Sequence, residues 1–188
     1  IAFADHRDIG LVLGTTFAAD APQQRFAEAA RAAFAAFPHL QRIACTTRAQ
    51  ASVDHHRLGA LLATRDGALH VCPPMELTTI VDRIGAGDAF AAGVLHGLLS
   101  DMDDADSLAF GQAAACLKHY IPGDANLVSV AEVMALPSRA TSNTPKRLRE
   151  TRTIRMQSST RKVGLWKAVL QLASFPAAWS PRCGRAAR

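Results

Sequence analysis

A layered α/β fold with a largely parallel sheet is predicted by three features of this 188-residue sequence. Segments of helical periodicity alternate with short β-branched runs, one turn signal separates two apolar runs, and a glycine turn joins a strand-like run to an Ala-rich helix. The length suits one ordinary domain, and 49% hydrophobic with 20% charged residues suits a globular chain with a packed core.

Ile1-Ala2-Phe3 reads as the end of a buried strand, so the chain is read as entering partway through a fold. Asp5-His6-Arg7-Asp8 then offers an N-cap and an early acid ahead of Ile9–Leu13, with Gly14 as the stop. Pro22 opens a helix to about Phe37, whose Phe26, Ala30, Ala33, Phe34 and Phe37 recur on one face before Pro38 ends it. Arg42–Thr47 reads as a strand, followed by a polar segment, 48–57. Leu58–Thr64 and Ala68–Cys72 flank Arg65-Asp66-Gly67, a hairpin signal. Thr78–Asp82 reads as a short strand leading into Gly85-Ala86-Gly87-Asp88. Ala89–Leu99 and Asp103–Tyr120 read as helices, Pro122-Gly123-Asp124 as a break, and Val130–Leu136 as a closing helix.

Past Leu136 the composition changes. Residues 1–136 hold 9 Lys and Arg against 15 Asp and Glu, a balance of −6; residues 137–188 hold 12 against one, Glu150, a balance of +11. The basic stretch reads either as a disordered extension or as the product of a shifted reading frame, with Val163–Ala173 its one apolar patch. On the folded part the charge has the wrong sign for nucleic-acid binding. No run approaches the roughly eighteen apolar residues of a membrane span, and no signal-peptide pattern is seen. Neither nucleic acid nor membrane is therefore expected as a partner. Cys45, Cys72, Cys116 and Cys183 lack C-x-x-C spacing and read as reduced thiols of a cytoplasmic protein.

The chemistry concentrates in the run Val81–Gly93. Two glycines between a strand and a helix let backbone N–H groups approach an anion at a helix N-terminus. An aspartate in the same turn repels phosphate, unless Asp88 takes a proton from a hydroxyl while the Gly85–Gly87 amides hold a phosphoryl group. A Walker loop is excluded by the missing lysine, and a dinucleotide fingerprint by Phe90. The spacing alone also fits a turn that serves only tight strand–helix packing. Asp101-Met102-Asp103-Asp104-Ala105-Asp106 lacks the glycine and closing glutamate of a calcium loop and reads as an acidic helix start. His55-His56 reads as a solvated loop pair.

The run resembles the PfkB (ribokinase-like) carbohydrate kinase signature D-T-x-G-A-G-D-x-F at Asp82, Gly85, Ala86, Gly87, Asp88 and Phe90, with Arg83 in place of Thr. Lys118-His119-Tyr120-Ile121-Pro122-Gly123-Asp124 is similar to a K-H-x-I-P-G-D segment beside the nucleotide. Thr46-Thr47-Arg48 with Ser52–His56 is similar to a stretch that borders ATP in the branch acting on 2-keto-3-deoxygluconate. The likeness covers residues 1–136 and implies the C-terminal portion of a three-layer α/β/α sandwich, the first half and its lid being absent. It implies transfer of a phosphoryl group from ATP with Mg²⁺ to a sugar acid, and a fragment inactive alone. Asp88 would be the base, with Gly85, Ala86 and Gly87 as the anion hole. Thr47, Arg48, Gly85, Gly87 and His119 would lie on the nucleotide side, His119 being equally readable as a packed helix-end residue. Arg83 would meet phosphate or the sugar carboxylate, and Asp8 would stand for the metal-placing acid of an N-x-x-E motif that here reads Asp5–Asp8. A fructokinase-like activity and an inactive nucleotide-binding remnant stay open beside this. So does a homo-oligomer, since relatives use the absent lid for dimer contacts.

Overall fold

The computed structural model describes residues 1–136 and the two-residue strand Thr141–Ser142; the apolar patch 163–173 and the rest of the basic stretch lie outside the described residues. The elements run β1 (Ala2–Phe3), α1 (His6–Leu13), α2 (Pro22–Ala36), β2 (Arg42–Gln50), β3 (His55–Thr64), β4 (Leu69–Thr78), α3 (Ala86–Leu99), α4 (Asp104–Lys118), α5 (Val130–Ala135) and β5 (Thr141–Ser142). The strands form one sheet in the order β1-β2-β3-β4-β5.

That sheet is mixed rather than largely parallel. Among the described strands only β1 and β2 run parallel, with Ala2 opposite Ile43, because α1 and α2 supply a crossover between them. The links from β2 to β3 and from β3 to β4 are short, and a short link joins only antiparallel neighbours. β3 is the central strand. Along β2 and β3 the side chains alternate as a pleat requires. Ile43, Leu61 and Ala63 pack with Ile9 of α1 and with Phe26, Ala30 and Phe34 of α2. Ala44, Ala60 and Leu62 pack on the other face with Phe90 and Val94 of α3 and Leu108 of α4. Helices on both faces make three layers.

Local chemistry explains where the helices begin and end. Asp5 caps α1 by accepting from the Arg7 and Asp8 amides, and the Asp8 carboxylate accepts from the Asp5 N–H at 2.9 Å, closing a capping box. Gly14 ends α1 in the left-handed region at φ 65. α2 starts on Pro22, but its apolar stripe stops one residue short of expectation. Phe37 has left helical geometry (φ −119, ψ 91) and stands exposed. The C-terminus of α2 is closed from another element: Arg65, in the β3–β4 turn, donates to the carbonyls of Phe34, Phe37 and Leu40 and stacks over the Phe34 ring.

The β4 strand runs through Pro73 and Pro74 to Thr78, where the sequence suggested an end at Cys72 and a new strand over Thr78–Asp82. Two prolines remove two ladder donors, and the register with β3 slips between Leu58 and Ala60. Gln112 of α4, fully buried, repairs the gap by donating to the Leu58 and Pro73 carbonyls at 2.7 and 2.8 Å. Beyond Thr78 the chain leaves the sheet. Thr79 sits at φ 59, a strained conformation for a β-branched residue, and residues 79–84 form no strand. α3 and α4 then cross closely, a Cβ built on Gly93 falling 2.7 Å from the Gly111 Cα.

Candidate active site

α3 starts without a side-chain cap, whereas α1, α4 and α5 are capped by Asp5, Asp103 and Ser129. Gly85 occupies the N-cap position at φ 77, and a Cβ there would run into the Asp124 backbone carbonyl. Glycine is thus demanded twice, by conformation and by contact. Gly87 is different: a Cβ on it would meet nothing within 4 Å, so no packing explains it. Ala86 is buried beneath the turn, while Asp88, in the first turn of α3, is exposed. The uncapped first turn carries backbone donors and the positive end of the helix dipole, both suited to an anion.

The turn is tied to the segment after α4. Val81 and Asp82 donate their amides to the His119 carbonyl at 2.9 and 3.1 Å. The Asp82 carboxylate accepts from the Ile84 and Gly123 amides, both at 2.9 Å, and these bonds hold it below the usual aspartate range. Lys118 is buried and donates to the Ile121 carbonyl at 2.9 Å, which shapes the same loop. Asp82 and Lys118 were legible only as letters of the matching runs; their bracing work had no sequence signal.

Behind the turn, Arg48 of β2 extends its guanidinium to His119, Nη2 to Nε2 3.2 Å. His119 is fully buried, and its Nδ1 lies 2.7 Å from the Ala115 carbonyl. Burial first, then the charges of Arg48 and Lys118 and the nearby His56, outweigh the carbonyl bond and hold His119 below the usual histidine range. Partial burial, then the neighbouring charge of Arg83, lowers Arg48 from its ordinary value. Arg83 is exposed. Thr47 lies on β2 opposite Gly59, its Oγ1 filling the space where a side chain on Gly59 would stand. The structure therefore brings Arg48, Arg83 and His119 together beside the uncapped turn.

One placement differs from the sequence-based expectations. His56 is no solvated loop residue: it lies wholly buried in β3, with Nε2 3.2 Å from the Val53 carbonyl and Nδ1 without a partner. Its neighbour His55 is only half-buried and pairs with Glu76 at 2.5 Å. Alternation along a strand separates the two, where a loop would not. Asp8 lies at the third position of α1 with its carboxylate engaged by the Asp5 amide. Among the described residues no group of three or more His, Cys, Asp or Glu side chains gathers as a metal site.

Residues 50–128 match the pfkB family carbohydrate kinases. A 2-dehydro-3-deoxygluconokinase of Bacillus subtilis is 35% identical over 72 residues, which are 38% of this chain and 21% of that protein. A 2-dehydro-3-deoxygalactonokinase of Haloferax volcanii is 39% identical over 72 residues, 38% of this chain and 22% of that protein. Among solved structures, a 2-dehydro-3-deoxygluconokinase of Thermotoga maritima superposes with a TM-score of 0.64 at 30% identity, covering 70% of this chain and 40% of its own. A PfkB family carbohydrate kinase of Listeria grayi gives 0.62 at 30% identity, covering 70% and 38%. The fold is that of the ribokinase-like α/β class, in part. The family match takes in fewer than half of the residues, and the chain spans well under half the length of these relatives.

Proposed function

We propose that this chain carries the phosphoryl-transfer side of an ATP-dependent sugar-acid kinase, with 2-keto-3-deoxygluconate as acceptor. The observation that carries this reading is the uncapped, glycine-formed N-terminus of α3, which pairs free backbone donors with an exposed carboxylate, Asp88. In the proposed step the Asp88 carboxylate accepts the proton of the acceptor hydroxyl. That oxygen forms a bond to the γ-phosphorus of ATP as the bond to the bridging oxygen breaks and ADP leaves. The amides of Gly85, Ala86 and Gly87 hold the charge of the phosphoryl group in transit. Thr47, Arg48 and His119 belong to the nucleotide side of the turn. Arg83, an exposed cation beside Arg48, suits a phosphate or the carboxylate of a sugar acid. Mg²⁺ accompanies ATP in such chemistry, yet the described residues do not build a protein-held site for it, and Asp8 is committed to its helix cap. No step is assigned to the metal.

The test is a chimera in which residues 1–136 replace the matching part of the Thermotoga maritima enzyme. Asp88→Asn in that chimera is expected to lower turnover by roughly 10²-fold or more while ATP affinity stays within a few-fold. Turnover within a few-fold of the parent would overturn the base assignment. The same chimera tests the acceptor. The gluco and galacto forms of the 2-keto-3-deoxy acid are expected to lead fructose and ribose in kcat/KM by about 10²-fold, as a site built for a carboxylate discriminates against ligands lacking it. Should fructose or ribose lead, the kinase reading survives and the sugar-acid reading does not. Purified 1–188 alone is expected to bind ATP weakly without phosphorylating sugar; measurable sugar phosphorylation by it would overturn the reading of a fragment inactive alone.

A further inference from the structure

The sequence offers His119 either as a neighbour of the nucleotide or as a packed helix-end residue; the side chain is wholly buried, and such a group makes no direct contact with a ligand in solution. Its hydrogen bonds say what it does instead. The Ala115 carbonyl only accepts, so His119 Nδ1, 2.7 Å away, carries the proton. In the neutral ring Nε2 is then an acceptor. The Arg48 guanidinium has only donors, and its Nη2 lies 3.2 Å from that nitrogen. Each bond fixes the next: helix α4 fixes the tautomer, the tautomer presents a lone pair, and the lone pair holds an arginine on β2.

We propose that His119 is a positioning residue that holds Arg48 toward the anion expected at the N-terminus of α3, and that it does so only as the neutral Nδ1–H tautomer. The inference rests on the nucleotide-site reading above and deepens it. Without His119 the long Arg48 side chain, whose residue is otherwise exposed, would have to be ordered by the ligand itself. Arg83 lies near enough to repel it, so the arginine would turn away from the turn rather than settle on it. The bond to His119 counters that repulsion.

Protonation breaks the device. A charged ring presents N–H at both nitrogens, and the Nε2 donor would then face the donors of Arg48. The groups facing the ring are Arg48 from β2, His56 from β3 and Lys118 beside it on α4; none is a carboxylate that would favour the charged form. The sign follows from the lowered folded value. The neutral, arginine-holding form persists above about 6.5 and is lost as pH falls through the lower value of the folded protein. Anion affinity should therefore fall on acidification, against the ordinary trend for a site gaining positive charge.

The experiment measures binding of ATP to the 188-residue chain by calorimetry between pH 8 and pH 5, for the wild type, His119→Phe, His119→Gln, Arg48→Ala and the His119→Phe/Arg48→Ala double variant. At pH 8, His119→Phe is expected to weaken ATP binding by roughly tenfold, close to Arg48→Ala, with no further loss in the double variant. His119→Gln retains an acceptor and an N–H, so it should stay within about threefold of wild type and, if the phenylalanine variant unfolds, carries the test through its pH profile. The wild type should lose affinity relative to His119→Gln as pH falls below the histidine range. Both share the titration of the ATP phosphates, so the difference isolates His119. If wild type binds ATP and Arg48→Ala weakens it while His119→Phe does not, the positioning role fails alone. Parallel pH profiles for wild type and His119→Gln would also overturn it. If wild type does not bind, or Arg48→Ala is silent, the nucleotide-site reading fails and this inference with it.

Discussion

Three cysteines show how burial decides the chemistry of a single residue. Burial pushes the Cys72 and Cys116 thiols up to about 12, and it does the same to Cys45 with help from the charges of Asp5 and Asp8. Thiolate is the reactive form, so at pH 8 all three should resist iodoacetamide for as long as the fold holds. Labelling in buffer and in 6 M urea, followed by peptide mass analysis, checks this; rapid modification of Cys72 or Cys116 in buffer would show that the α4–β4 contact opens. The glycine turn ahead of α3 was legible at this same scale, since Gly85, Gly87 and Asp88 combine residue types that rarely share a turn without a reason. His56 and Lys118 were not legible. A histidine beside a histidine and a lysine near a helix end look solvated in sequence, and only strand pairing and the fold of the 119–124 loop bury them.

At the scale of elements, the helices were read well because their signals are local: Asp5, Pro22, Asp103 and Ser129 all begin or precede first turns. Strand extents and direction were read less well. β4 crosses two prolines because a glutamine from a distant helix supplies the donors they lack, and such help has no local pattern. Gln112→Leu keeps the volume and removes both bonds, leaving buried carbonyls of Leu58 and Pro73 unpaired. It is expected to lower stability by about 1–3 kcal/mol, read from chemical unfolding at an unchanged slope. A loss below about 0.5 kcal/mol would mean that the kink in β4 is held by the α3–α4 layer alone.

At the scale of the whole molecule, the described residues contain no helix long and apolar enough to cross a membrane. They do carry an uncovered apolar margin. Leu11 is 86% and Val12 68% exposed on α1, and beside them a cavity of about 510 Å³ lined by Ile9, Val12, Leu13 and Phe37 opens next to β1. A contiguous margin of this kind favours self-association. Leu11→Lys with Val12→Glu should therefore raise the concentration at which the chain stays monodisperse in light scattering, with its melting temperature unchanged. A large fall in melting temperature would show that these side chains already support the core.

The parallel contact between β1 and β2 also has a kinetic meaning. β2, β3 and β4 meet one another through short connections, whereas Ala2 meets Ile43 only after two helices have been laid across the gap. Closing a long loop delays the contacts it serves, so the three-strand meander is the natural nucleus and β1 docks after it. Substitutions in the meander, such as Leu62→Ala, should then slow refolding, while those at Ala2 or Phe3 should mainly speed unfolding. The margin of the sheet beside the cavity would be the part of the molecule that arrives late and leaves early.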